Sequence, residues 1–261
     1  MTIENAPLDE SQAQDACPSC GAPLPEGAKF CLECGTKVDS SKITCPACGR
    51  MVTKGKFCPE CGHRQLPGFG SIKRGDEFKI GNYHGPIAWK VLKKEDGKVL
   101  LISEKCLDSK PYNEKWTSVT WETCSIRAWL NSEFFFEAFS ETERASIVAT
   151  KVKPANNADY KISGGNETTD KIFLLSITEA EELLDKESGP CPSAAQATDY
   201  AKEQGVYVAP NGNAWWRLRS PGIDQRGAAY VGPGGLVVPS GMDVDYGAHG
   251  IRPAMWIALE A

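Results

Sequence analysis

CPSCGAPLPEGAKFCLECG occupies residues 17–35, and CPACGRMVTKGKFCPECG follows at 45–62. The second stretch repeats the first with one residue fewer between its cysteine pairs. Together they hold eight of the chain's eleven cysteines, as four Cys-x-x-Cys pairs: Cys17/Cys20, Cys31/Cys34, Cys45/Cys48 and Cys58/Cys61. A glycine follows each pair, at Gly21, Gly35, Gly49 and Gly62. In such a turn two thiolates face one ion, and a glycine at φ > 0 lets the backbone fold its amides toward the sulfurs. Two turns supply the four sulfurs of a closed tetrahedral zinc site. Four matched turns argue against idle thiols, and iron in the same ligand set is the alternative.

Pairing within a repeat is favoured. Cys17, Cys20, Cys31 and Cys34 then surround one zinc, and Cys45, Cys48, Cys58 and Cys61 a second. Crossing the repeats would close loops of about 24 residues for only roughly 0.8 kcal/mol more chain entropy, so the repeat itself carries the preference. Phe30 and Phe57 each precede the third cysteine of a unit and are expected to cap its site. Units this small bury almost no apolar core, so each is expected to unfold without its metal. The 17–64 stretch resembles the double zinc ribbon of many bacterial and archaeal proteins. That resemblance implies metal binding and leaves nucleic-acid, protein-docking and spacer roles open.

The chain of 261 residues has a formal charge of −5. Its length suits one small and one large domain. The first sixteen residues carry four acids and no base and read as a disordered acidic tail. No run of about twenty apolar residues suggests a membrane span. The N-terminus has neither the basic nor the apolar region of a secretory signal. Thiolates reserved for metal imply a reducing compartment, hence the cytoplasm. Residues 17–64 hold seven Lys/Arg against four Asp/Glu. Two tetrathiolate zincs, each at a net −2, would bring that module to about −1, which argues against nucleic acid and for a protein partner.

Residues 65–71 carry Pro67, Gly68 and Gly70 and read as a linker. All seven tryptophans lie beyond it, so 72–261 is the domain with a core. EFKIG, IAWKVLKK and KVLLIS read as strands, with Asp96-Gly97 turning between the last two. Ile126, Trp129 and Leu130, then Phe135, Ala138 and Phe139, recur at helical spacing. Ser140/Glu143 and Thr178/Glu181 are expected capping boxes. Residues 153–170 read as loop, DKIFLLSI at 170–177 as a buried strand, and the stretch ending at Gly205 as a short helix. AAYV and LVV flank Gly-Pro-Gly-Gly as a hairpin, and IRPAMWIAL reads as the closing strand.

WWRLRSPG at 215–222 and GIRPAMWI at 250–257 carry a second resemblance. IAWKVL, LLIS, TWETCSIRAWLN and DKIFLLS precede them in the expected order. Residues 75–261 resemble a bacterial family of unknown function. Its ending in turn resembles the C-type-lectin-like fold shared by the formylglycine-generating enzymes. The resemblance implies an α+β domain: a mixed lectin-like fold with a twisted antiparallel sheet, flanking helices and long ligand-binding loops. It implies no activity.

Catalytic chemistry is not assembled in the sequence. Cys106, Cys124 and Cys191 lack ligand spacing and read as buried structural thiols. No cysteine follows Cys191, which argues against the formylglycine-generating reaction. No nucleophile elbow accompanies the three histidines. Arg219 and Arg252 read as buried scaffold. The irregular 239–250 stretch holds Asp243, Asp245, Tyr246 and His249 and is expected to be exposed, lining a concave surface beside Trp215 or Arg217. Asp243 and Asp245 are also a candidate calcium pair. The expectation is a zinc-binding, non-enzymatic adaptor, with a modifying enzyme or a ribbon that binds nucleic acid as alternatives.

Overall fold

The computed structural model describes residues 15–16, 23–24, 30–37, 42–44, 50–53, 58–62, 72–184 and 193–259. The chain forms two compact units, 1–72 with 259–261, and 73–258. Cys17, Cys20, Cys45, Cys48, Phe57, His63, Cys191 and the 65–71 linker lie outside the described residues.

In the first unit, Asp15–Ala16 pairs antiparallel with Pro23–Leu24, and Lys42–Thr44 with Met51–Thr53. Each hairpin brackets one Cys-x-x-Cys pair. Residues 15 and 16 therefore belong to a hairpin, although they fall within the stretch read as tail.

The second unit is mostly antiparallel sheet with a few short helices, an α+β arrangement. One four-stranded sheet runs in the order Ala254–Ala258, Lys98–Ser103, Pro86–Glu95, Glu77–Asn82. The turn between its two central strands has Asp96 at φ 47 and Gly97 at φ 71. Those left-handed values match the strands' own twist, which is why Asp-Gly closes this hairpin. Val99, Leu100, Leu101 and Ile102 are all buried, so this strand is covered on both faces.

The five-stranded sheet runs Val237–Asp243, Gly227–Val231, Trp216–Pro221, Gly250–Ile251, Asp108–Ser109. Its contact between Trp216 and Gly250 is parallel, and its other pairings are antiparallel. The chain passes from one sheet to the other twice, between Ser103 and Asp108 and between Ile251 and Ala254. The stretch expected to be one closing strand is thus two strands in different sheets. Arg252 stands at the crossing. Its Nε donates to Ser103 O at 2.8 Å and its guanidinium lies 5.0 Å from the Trp216 ring.

Local signals decide several other elements. The helical pattern of 125–139 becomes two helices, Ser125–Leu130 and Glu133–Ala138, because Asn131 and Ser132 interrupt it. Asn131 turns its side chain onto the backbone of Arg127, Lys171 and Ile172 instead. Ser140 and Glu143 form the expected capping box on Glu141–Ser146. The second box is two residues earlier than expected. Ser176 and Glu179 cap Ile177–Leu183, since Glu179 is also held by Arg219. Residues 153–170 are not all loop, for Thr168–Asp170 pairs with Thr150–Val152. Beyond Asp170, which ends that strand, KIFLLSI is buried through Ile172–Leu175 but forms no strand: its one bridge is Phe173 to Ala254. Its apolar run signals burial, while pairing needs a neighbour along its whole length. Among the described residues no helix is long and apolar enough to cross a membrane.

Candidate functional site

Two of the four cysteine turns are described, and they share one geometry. Cys31 and Cys58 are buried, while Cys34 and Cys61 are exposed. The Gly35 N–H donates to Cys31 O and the Gly62 N–H to Cys58 O, each at 2.9 Å. Gly35 has φ 71 and Gly62 φ 72, and a Cβ added at either would meet nothing within 4 Å. Space does not select glycine there; the left-handed backbone does. The first cysteine of each turn is thus presented from a fixed scaffold, which fits a thiolate ligand set. Val52 packs beside Cys58 as a small apolar cluster. Phe30 precedes Cys31, and the other half of its expected site, Cys17 and Cys20, lies outside the described residues. Phe30 is 54 % exposed and bridges Lys37 through its backbone.

In the second unit, the hairpin register puts Arg217 opposite Tyr230. Tyr230 stacks on Trp215 at 5.4 Å and on His249 at 4.7 Å between centroids. Trp215 also stacks on His249 at 5.6 Å. Tyr207 meets Trp215 at 5.1 Å, and Tyr246 meets His249 edge-on at 5.2 Å. Tyr207 is 47 % and Tyr246 40 % exposed, so the cluster opens to solvent at these two rings.

Arg217 sits fully buried beneath the 242–246 segment. Its Nη1 donates to Ala228 O and Met242 O, both at 3.1 Å. Its Nη2 donates to Asp243 O at 2.7 Å and Tyr246 O at 3.0 Å. The guanidinium therefore fastens the loop by its carbonyls. Burial lowers the group to about 10, which leaves it charged at neutral pH. No carboxylate pairs with it among the described residues. Burial, and secondarily the Arg217 charge, push His249 down to about 2, so its imidazole is neutral. Both His249 ring nitrogens, Trp215 Nε1 and Arg217 Nε are buried without a hydrogen-bond partner. Buried polar atoms are paired in most folds, so three such side chains in one cluster make it the candidate site of this unit.

The expected site residues divide accordingly. Asp243, Asp245 and Tyr246 are exposed as expected. His249 is buried, which corrects the expectation that the whole 239–250 stretch is exposed, and Arg217 on the neighbouring strand is buried as well. Val244 is buried too, and Val237–Asp243 is a strand, so only 244–249 lies between elements. The reason is Arg217, which draws the backbone inward and leaves the acidic side chains outside. Among the described residues no three His, Cys, Asp or Glu side chains converge, and Asp243 and Asp245 have no third carboxylate beside them. Tyr207 and Tyr230 were missed. The alternation of AAYV could have placed Tyr230 beside Arg217, but Tyr207 had no such signal. Trp216 points away from Trp215, and its Nε1 donates to Ser193 O at 2.9 Å.

A second polar cluster is satisfied within itself. Tyr83 donates its hydroxyl to Asp108 Oδ2 at 2.7 Å, and Asp108 Oδ1 accepts from Ser109 N–H. His84, at φ 50, stacks on Tyr200 at 3.5 Å. Cys106 and Cys124 are buried, and burial pushes each thiol up to about 12, far from an activated nucleophile.

Residues 17–62 match the family described as Double zinc ribbon, which indicates zinc binding. Residues 96–259 match the family described as Domain of unknown function (DUF6273). Neither the curated proteins nor the solved structures contain a significant match to the chain.

Proposed function

The chain belongs to the DUF6273 family, and from that premise we propose that it is a non-enzymatic binding protein of the bacterial cytoplasm. Its ribbons dock a protein partner, and its DUF6273 domain receives a ligand at the Trp215–Tyr230–His249 cluster. The single observation that carries the reading is the set of buried, unpartnered polar atoms on Trp215, Arg217 and His249 within one aromatic stack. Orphaned donors and acceptors cost stability, and a bound ligand would satisfy them. On this reading the domain is lectin-like: its sheets supply rigidity, and the 244–249 loop and the rim tyrosines supply recognition. High thiol pKa values at Cys106 and Cys124 and a buried neutral His249 support binding over catalysis.

Two zincs belong to the same proposal, one held by Cys17, Cys20, Cys31 and Cys34 and one by Cys45, Cys48, Cys58 and Cys61. The shared geometry of the Cys31/Cys34 and Cys58/Cys61 turns supports it. Elemental analysis is expected to find two zincs per chain; one metal, or iron, overturns that assignment. Pull-down with the intact chain tests the division of labour. Cys31→Ser with Cys34→Ser is expected to lose the protein partner, and His249→Phe to retain it. Retention by the cysteine variant refutes docking through the ribbons.

A further inference from the structure

We propose that the face formed by Trp215, Arg217, Tyr230 and His249 receives the carboxylate of a small planar organic acid. This deepens the binding role proposed above and rests on it. Charge comes first. Arg217 brings a full positive charge into the interior, and its four Nη donations all go to neutral backbone carbonyls. Carbonyl dipoles solvate that charge without cancelling it. The nearest acid in sequence, Asp243, lends Arg217 its carbonyl while its side chain is exposed. By contrast, Arg219, two residues on, is matched by the Glu179 carboxylate. The Asp243 carboxylate acts on Arg217 through its charge but forms no ion pair with it, and a buried guanidinium without a directly paired carboxylate can take an anion.

Hydrogen-bond stoichiometry points the same way. An indole N–H and an arginine Nε–H can only donate, and a neutral imidazole offers one donor and one acceptor. Donors thus outnumber acceptors among the unpartnered atoms of Trp215, Arg217 and His249. A carboxylate accepts only and has several lone pairs to meet them. A cationic ligand would face Arg217, and each hydroxyl of a sugar would bring a further donor. The body of the ligand is flat because the approach is walled by rings. Tyr207 and Tyr246 stand half-exposed at the rim, and the rings behind them already stack. The Tyr246 ring meets His249 edge-on and is 40 % exposed, so it stands on the solvent side of the stack.

The test uses the zinc-loaded full chain, labelled with nitrogen-15, and follows the Trp215 indole N–H and the His249 imidazole. Trp215→Phe assigns the indole signal. The probes are benzoate, benzamide, benzyltrimethylammonium and methyl glucoside. Benzoate is expected to move both signals saturably and to bind at least about tenfold tighter than benzamide, the loss expected when a charge-assisted contact goes. His249→Phe is expected to stay folded and to weaken benzoate by about tenfold or more. If benzamide, the ammonium or the glucoside binds as well as benzoate, the carboxylate assignment is overturned and the binding role stands. If no probe moves either signal and the indole N–H contacts bound water only, both are overturned.

Discussion

Arg217 and Arg219 lie two residues apart on the strand Trp216–Pro221, and both are buried. Their surroundings differ. Arg219 donates to both oxygens of Glu179 and to Leu174 O. Glu179 in turn closes the capping box of Ile177–Leu183, so one carboxylate ties a strand to a helix start. Although burial opposes it, the hydrogen bonds and charge of Arg219 hold the Glu179 carboxyl below its usual range. Arg217 has carbonyls only, and beside it stand a histidine and a tryptophan with unpartnered nitrogens. Each arginine leaves its Nε without a partner, so that feature does not separate them. Neutralisation does. The Arg219 charge meets a carboxylate inside the fold, whereas the Arg217 guanidinium is bonded to neutral carbonyls alone.

Removing the carboxylate should expose this contrast most strongly. Glu179→Ala strands a buried charge and is expected to cost about 3 kcal/mol or more, lowering the melting temperature by roughly 6–12 °C. A drop within about 2 °C by calorimetry would erase the distinction between the two arginines.

Gly250→Ala attacks the other region through its scaffold. A Cβ there would lie 2.6 Å from Cys106 Cβ and Sγ, and the Gly250 N–H donates to Trp215 O at 2.7 Å. Overpacking of this kind costs about 2 kcal/mol. Chemical denaturation with an unchanged slope and a lower midpoint is the expected result.

The third measurement is pH dependence. Unfolded His249 titrates near its ordinary value of 6.5, whereas the folded group stays neutral down to about 2. Between these values the unfolded chain binds the extra proton, so stability falls as pH drops below 6.5. The slope is about 1.4 kcal/mol per pH unit. His249→Phe should remove that slope between pH 6.5 and 5, above the range where carboxylates titrate. An unchanged slope in the variant would show that His249 is protonated in the fold.

At neutral pH the smallest effects are expected where a structural role would predict large ones. His249→Phe deletes two unpartnered nitrogens and keeps a ring, so it should be neutral or stabilising by up to about 1 kcal/mol. Tyr246→Ala, at the rim, should stay within about 0.5 kcal/mol. A loss beyond about 2 kcal/mol in either variant would make the cluster ordinary core.

The legible parts of the sequence are those whose signal is local. Asp96-Gly97 closes its hairpin because two adjacent residues accept positive φ. Ser140/Glu143 caps its helix because both partners lie within one turn. Where two local readings compete, the sequence is silent on the winner. Ser176/Glu179 and Thr178/Glu181 fit the same pattern, and Arg219, distant in sequence, selects the first. Of the candidate site, Asp243, Asp245 and Tyr246 were legible as exposed because their polar side chains sit in a run with few apolar neighbours, although Val244 within it is buried. Arg217 and His249 were not, because their burial depends on the register of Gly227–Val231 and on the carbonyls of the loop itself.

The sequence by itself determined the thiolate turns, whose cysteine spacing and glycines specify metal chemistry within a few residues. It also determined where the apolar runs lie. Tertiary structure alone decided how those runs are shared between two sheets and that GIRPAMWI splits at Arg252. It also decided that Arg217 and His249 meet under one loop. Local patterns are set by short-range sterics and capping. Neutralisation and pairing depend on partners brought together from distant positions, and no spacing in the chain encodes them.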